Sequence, residues 1–354
     1  MPRPTDDSWS FLQLLLLTTA VVVLLLLLLL WQLSSVAVLA FGGIVMATML
    51  RGIARRLERW TGASPQVSAV LAALLVLAVL AVVGWLVGGA FAEQITRLRE
   101  QLPQAWAAAS SWLASHALGR QLLDVLQGAM DSGLTGNRLA RVAGTTLGAL
   151  GTALLIAIVG VYLAADAPTY RKGVLRLVPP AYRDRAGEAL DASGRALSCW
   201  LLGQGLSMIF LGTSTAIGLW LLGIPLALAL GLITGLLAFV PFFGAITAGL
   251  LSVLMAFIEG PQKALHVALL FFALQQVEDY LLLPFVQRWA VALPPVLTLF
   301  SALIFGILFG PVGVVFATPM MVIALVLVRK LYIEDTLQSG QESGEARGRA
   351  AQTG

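Results

Sequence analysis

The sequence predicts an all-α polytopic membrane protein with about eight transmembrane segments, two of them interrupted by glycine and proline. An extracytoplasmic insert of amphipathic helices is expected between spans three and four. Three observations carry this reading. Hydrophobic residues make up 59% of the chain and charged ones only 11%, with a mean hydropathy of +0.91, outside the range of soluble domains. Several apolar runs reach the roughly 20 residues that cross a hydrocarbon layer. The basic residues gather beside those runs, as topology signals and anionic-lipid contacts do.

The first span covers residues 12–31. As a signal peptide the N-terminal stretch fails, because its apolar core is too long and no small-residue cleavage site follows closely. A second span, 35–50, follows after a short turn and leads into RGIARRLERW, whose Arg51, Arg55, Arg56 and Arg59 belong in the cytoplasm by the positive-inside rule. That places the N-terminus inside as well.

Span three runs over 67–91 and opens the insert, 91–146. There Ile95, Leu98, Leu102 and Trp106 recur at helical spacing, so its helices should lie on the membrane or on neighbouring helices. His116 stands alone in it and reads as solvated. Span four, 147–165, returns to a basic cytoplasmic loop, 166–197, holding Arg171, Lys172, Arg176, Arg183, Arg185 and Arg195. Pro179-Pro180 should divide this loop into two short helices. Asp166 reads as a cap or as the partner of Arg171. Span five, 198–222, carries Gln204 as a buried polar candidate. Its Thr213-Ser214-Thr215 run is expected to bond the carbonyl a turn back.

The last third changes character. Segment 224–258 is apolar but broken by Pro241-Phe242-Phe243-Gly244. Segment 295–328 is broken by Gly310-Pro311-Val312-Gly313 and again at Thr318-Pro319. Pro225 to Pro241 and Pro295 to Pro311 are equally spaced, a weak internal repeat. Such breaks free backbone groups that lipid cannot satisfy, and paired interruptions point to a solute site near the midplane. Each segment fits either one tilted span or a hairpin that enters and leaves on one side. Both put the C-terminus inside, beside Arg329 and Lys330. Residues 1–336 form one transmembrane domain, and 337–354 read as a polar, disordered cytoplasmic tail.

Between the two broken segments lies LLFFALQQVEDYLLLPFVQRW, in which Gln275, Gln276, Glu278 and Asp279 interrupt an apolar helix. At about 100° per residue these side chains share one arc, flanked by Ala268, Phe271 and Leu282, so the face should pack inward. A charge near the bilayer centre costs about 2.5–3.5 kcal/mol and generally faces a cavity or a partner. Two acids on one face suit a cation, a proton or a hydroxylated solute. Alternatively they sit near the interface and are simply wet.

Read in order, DAPTYRKGVLRLVPPAYRDR, WLLGQ, LLGIPLALALGLITGLLAFVPFFG, QQVEDYLLLPFVQRWAVALPPVLTLFSALIFGILFG and ATPMMVIALVLVRKLYIED resemble the autoinducer-2 exporter (AI-2E) family of bacterial inner-membrane proteins. The resemblance is detailed over 154–335 and covers the first three spans in layout. It implies export of a small polar solute such as autoinducer-2, or sodium/proton antiport, by a homo-oligomer for which a pentamer is suggested. The chain departs from the family pattern at Ala238, Ala245, Leu251, Asp279 and Tyr280, differences that bear on the substrate more than the fold.

The transport path expected from these residues comprises Gln275, Gln276, Glu278, Asp279, Gln204, Pro241, Gly244, Gly310, Pro311 and Gly313. Enzyme chemistry finds little footing. The chain has no HExxH pair, no P-loop and a lone cysteine, Cys199, which excludes an internal disulfide and a multi-cysteine metal cluster. Neither cofactor, metal nor nucleic acid is required, and transport would be secondary or passive. From a different class, a scaffold could use the 171–195 loop to bind partners or anionic lipid.

Overall fold

The computed structural model of the protein describes residues 36–116, 146–282 and 294–332, together with 119–121, 123, 124 and 284. The expected first span, the rest of the insert, Val286–Trp289 and the C-terminal tail lie outside the described residues. Among the described residues every regular element is helical, as an all-α membrane protein requires, since a helix satisfies its own backbone in lipid.

Helix α1, Val36–Thr61, carries span two through the arginine cluster rather than stopping at Leu50. Nothing in RGIARRLERW breaks a helix; Gly62, with φ +66°, does so, donating its N–H to the Glu58 carbonyl at 2.9 Å. Ser64 then caps α2, Pro65–Ala114, by accepting from the Val67 N–H. At 50 residues and 1.5 Å rise, α2 is about 75 Å long. The boundary expected at residue 91 is therefore no break in the backbone. Beyond it Leu98 and Ala105 are buried against Leu219, Leu226, Leu230 and Met255, so this stretch lies on neighbouring helices.

Helix α3, Thr146–Ala165, ends at Asp166, where the chain bends by 86° into α4, Ala167–Arg176. A 3-10 turn, Pro180–Tyr182, follows, and then α5, Arg183–Leu221. The two short helices expected around Pro179-Pro180 are thus one short helix and one of 39 residues, because no proline stands between Arg183 and Leu221. The second half of the basic loop is the start of span five.

Asp166 does not pair with Arg171 and makes no side-chain cap. Arg171 reaches instead across to α5, where its Nε and an Nη each donate to the Asp191 carboxylate at 2.8 Å. The two stand twenty positions apart in the chain, out of reach of a local pattern. The hydrogen bonds it donates to Asp191, with the carboxylate's charge, hold the Arg171 guanidinium above its ordinary pKa.

Helices α6, Ala227–Leu237, and α7, Phe243–Ala256, form an antiparallel hairpin. The start of α6, at Leu226 and Leu230, shares one buried cluster with the end of α7, at Met255 and Ala256; two collinear halves would hold these ends far apart. At 11 and 14 residues, each arm falls short of the roughly 20 needed to cross.

After a 3-10 turn at Phe257–Glu259, α8 runs over Pro261–Val277 and passes into a π-helical turn, Glu278–Leu282. Among the described residues, four helices can cross a membrane by length and apolar content, Val36–Thr61, Pro180–Leu221, Pro261–Leu282 and Pro295–Tyr332, with the bent α3–α4 pair as a fifth.

The last of the four, which contains α9, Pro295–Val328, is not a rod. Gly310 has φ +66° and ψ −154°, a conformation open only to glycine. A Cβ at Gly313 would fall on the Phe305 carbonyl oxygen, and Val314 Cγ2 lies 2.9 Å from where a Gly306 Cβ would stand. Residues eight apart in a continuous helix are separated by about 12 Å of rise. The chain therefore folds back at Gly310 into a second hairpin, with arms 295–309 and 311–328. Both interrupted segments are hairpins. Thr318-Pro319, expected to break the second again, lies buried inside its returning arm, which continues helical through it. Buried prolines survive where neighbouring protein replaces lipid.

Candidate functional site

Helix α5 organises the centre of the molecule. It packs along α6 through small residues: a Cβ at Gly231 would stand 2.7 Å from the Gly212 carbonyl oxygen, and one at Gly235 2.9 Å from that of Met208. Gly231 and Gly235 form a GxxxG pair, the spacing that lets membrane helices approach closely.

One stripe of α5, at i, i+4 and i+7, holds the two hairpin turns and the acidic cluster together. Trp200 meets Phe239, in the turn of the first hairpin, edge-on at 5.8 Å. Phe309, beside the reversal of the second hairpin, packs against the same buried cluster as Trp200, with Phe316 and Val322. Gln204 Nε2 donates to the Ala238 carbonyl at 2.5 Å, satisfying a backbone oxygen that the α6 terminus leaves free. One turn further on, Ser207 stands beside Glu278. Gln204 is therefore half-buried and engaged at the hairpin turn.

The polar face on α8 is narrower than its arc predicts. Gln275 and Glu278 are half-buried toward α5, while Gln276, Asp279 and Ala268 are exposed. The expectation that this face packs inward is corrected: Gln276, at the edge of the arc, is exposed, and the π turn at Glu278–Leu282 adds a residue to the helical turn and rotates Asp279 outward. Gln275 Nε2 bridges the acids, donating to Glu278 Oε2 at 3.3 Å and to Asp279 Oδ1 at 3.2 Å. Neither acid forms an ion pair among the described residues.

The glycines and prolines take matching places in the two hairpins. Gly244 sits over the Leu237 carbonyl and Gly313 over the Phe305 carbonyl, where a Cβ would collide. Pro241 precedes Phe242, which turns the first hairpin with φ +64°, and Pro311 follows Gly310, which turns the second. The spacing repeat in the sequence thus corresponds to a repeat of local structure.

Other expectations resolve individually. Thr213 bonds the Ile209 carbonyl at 2.6 Å, a turn back. Thr215, by contrast, is buried with no partner for its hydroxyl among the described residues. His116 is exposed and lies 3.0 Å from the Trp112 carbonyl. Residues absent from the sequence expectation include Ser207, Trp200 and Gln94. Gln94 Oε1, on α2, accepts from the Ala229 N–H at 2.9 Å, capping α6 where Leu226, with φ +68°, offers no side-chain cap. The GxxxG pair Gly231–Gly235 is a local signal for the close approach of α5 and α6; the α5 stripe becomes visible only once its partners are placed. No group of acids, histidines and cysteines suited to a metal occurs among the described residues.

Apolar helices of crossing length, two hairpins turning on themselves and a polar cluster between them define a polytopic membrane protein. A sequence profile described as AI-2E family transporter matches residues 19–333. The chain belongs to the AI-2E family.

Relatives agree. A Mycobacterium tuberculosis protein is 28% identical over 311 residues, 82% of each chain, and a Synechocystis protein 28% over 279 residues, 74% of this chain and 79% of its own. YrrI of Bacillus subtilis is 31% identical over 158 residues, spanning 45% of each chain. All three bear the name "Putative transport protein".

Proposed function

We propose that this protein is a secondary transporter that exports a small polar solute, of the kind exemplified by autoinducer-2. The observation that carries the reading is the convergence on one stripe of α5: Trp200 and Gln204 hold the turn of the first hairpin, Phe309 brings the second, and Ser207 stands beside Glu278. Broken helices direct unpaired backbone dipoles toward the point where they break. The acids and amides beside them accept and donate hydrogen bonds, as a hydroxylated solute needs. Gln275, Gln276, Glu278, Asp279 and Gln204 would line the path, with Pro241, Gly244, Gly310, Pro311 and Gly313 shaping its turns. The absence of a P-loop in the sequence supports a gradient-driven mechanism.

A second reading is a sodium or lithium/proton antiporter, favoured by two neighbouring acids bridged by one amide and lacking an ion-pair partner among the described residues. In proteoliposomes an imposed sodium gradient moves protons under this reading alone, and Glu278→Gln abolishes that movement. Under the export reading, uptake of labelled solute into inverted vesicles is unaffected by sodium and falls at least tenfold in Glu278→Gln. Vesicles that carry out neither flux would sink both.

The setting we infer is the bacterial inner membrane, with both termini and the 166–197 basic segment in the cytoplasm and 91–146 on the far side. Parallel packing of α1 and α3 supports it. Ile156 lies 2.9 Å from where a Gly42 Cβ would stand, and Val159 and Met46 occupy the corresponding places at Gly43 and Gly160. Both arginine-rich helix ends therefore emerge on one side, as the positive-inside rule requires. A homo-oligomeric assembly, with the pentamer as the expected form, completes the proposal.

A further inference from the structure

We propose that α4, together with the exposed end of α1, is an in-plane docking surface for anionic lipid, and that it clamps α5 at the membrane surface. The 86° bend at Asp166 turns the chain from the direction of a spanning helix to that of the bilayer plane. On α4 the face formed by Arg171 and Leu175 is used: Arg171 binds Asp191, and Leu175 Cδ1 lies 3.7 Å from where a Gly187 Cβ would stand on α5. A second face is not used. Tyr170, Val174 and Leu177, at i, i+4 and i+7, fall within an arc of roughly 60°. They are exposed by 47%, 49% and 86%, and α4 has no buried residue.

On the side of α4 away from this apolar stripe stand the exposed cations Lys172 and Arg176, and Arg183 is exposed at the start of α5. Because α1 and α3 run parallel, Arg55, Arg56, Arg59 and an 88%-exposed Trp60 lie at the same end of the bundle. An apolar stripe on a short helix whose opposite side is cationic, with tryptophan and tyrosine at the same level, matches the chemistry of an interface rich in anionic headgroups. Apolar side chains enter the headgroup boundary while lysine and arginine stems reach up to phosphate.

The consequence reaches the candidate site. Asp191 lies on the same continuous helix as Trp200, Gln204 and Ser207, so lipid seated on α4 holds that helix through the Arg171–Asp191 pair.

The test uses the full chain with Cys199→Ser and a single Leu177→Cys carrying a polarity-sensitive fluorophore, reconstituted in phosphatidylcholine vesicles or in vesicles that also contain phosphatidylglycerol. Expected is a blue-shifted emission, quenched by brominated acyl chains, that is stronger with phosphatidylglycerol and weakens with salt. Replacing Lys172, Arg176 and Arg183 by glutamine should lower it by about fivefold per charge, from about 1 kcal/mol each near an anionic surface. A label at Ile158→Cys, on the outer face of α3, should be quenched by brominated lipid in both vesicles and reports correct insertion. If that control behaves while the Leu177 label is quenched equally by aqueous iodide in both lipids, the proposal is overturned and the face is open to a soluble partner instead.

Discussion

Gly244 and Gly313 are single hydrogen atoms that decide whether two hairpins close. Each faces a carbonyl oxygen of the opposite arm at a distance no Cβ tolerates. Gly244→Ala and Gly313→Ala should therefore each cost at least about 1–3 kcal/mol, read as loss of monodisperse protein after detergent extraction. Gly194→Ala, on α5 with nothing within 4 Å of the added methyl, should be neutral or gain up to about 1 kcal/mol from helix propensity. Gln204→Leu removes the donor to Ala238 and leaves that carbonyl unsatisfied, so thermal unfolding should shift by about 1–3 kcal/mol. Removing the Arg171–Asp191 pair is a milder change. Both side chains are exposed, and Arg171→Gln should alter stability by no more than about 1 kcal/mol.

Each hairpin is an element that cannot exist alone. The arms are too short to span, and a turn within hydrocarbon leaves backbone groups that only protein or water can satisfy. Gln204 and Trp200 serve the first turn, Gln94 caps its first arm, and the GxxxG pair seats it on α5. This arrangement predicts accessibility. With Cys199 replaced, a cysteine at Gln262 should label from the side opposite to one at Lys172, because α5 crosses once and the first hairpin returns to the side it left. Labelling of both from one side would require the first broken segment to be a full span. Helix α2 couples regions in a complementary way: its 50 residues join a stretch packed against α1 and α3 to one that packs on the first hairpin, so a displacement of either is felt by the other.

Across the whole molecule, the arginine-rich ends of α1 and α4 share one side, while the turns of both hairpins meet at the middle of α5. A transporter built this way should depend on α5 more than on any single hairpin residue. Ser207→Ala, which removes the hydroxyl beside Glu278, should lower flux in proteoliposomes several-fold with little change in thermal stability. Equal losses of flux and stability would make Ser207 a packing residue alone.

By itself the sequence determined the all-α membrane class, the positions of the two interruptions and the acids between them. All three rest on local quantities: hydropathy over about 20 residues, helix-breaking glycine and proline, and charge in an apolar run. The tertiary structure alone decided that the interruptions are reversals. A glycine–proline break reads the same in a kinked span and in a hairpin; the difference lies in contacts such as Gly313 with Phe305 and Leu226 with Met255. It likewise decided that Arg171 belongs to Asp191, that Gln204 holds a turn, and that Glu278 meets Ser207. Each such pairing joins residues distant along the chain, and contacts of that kind depend on where helices pack, which no local pattern encodes.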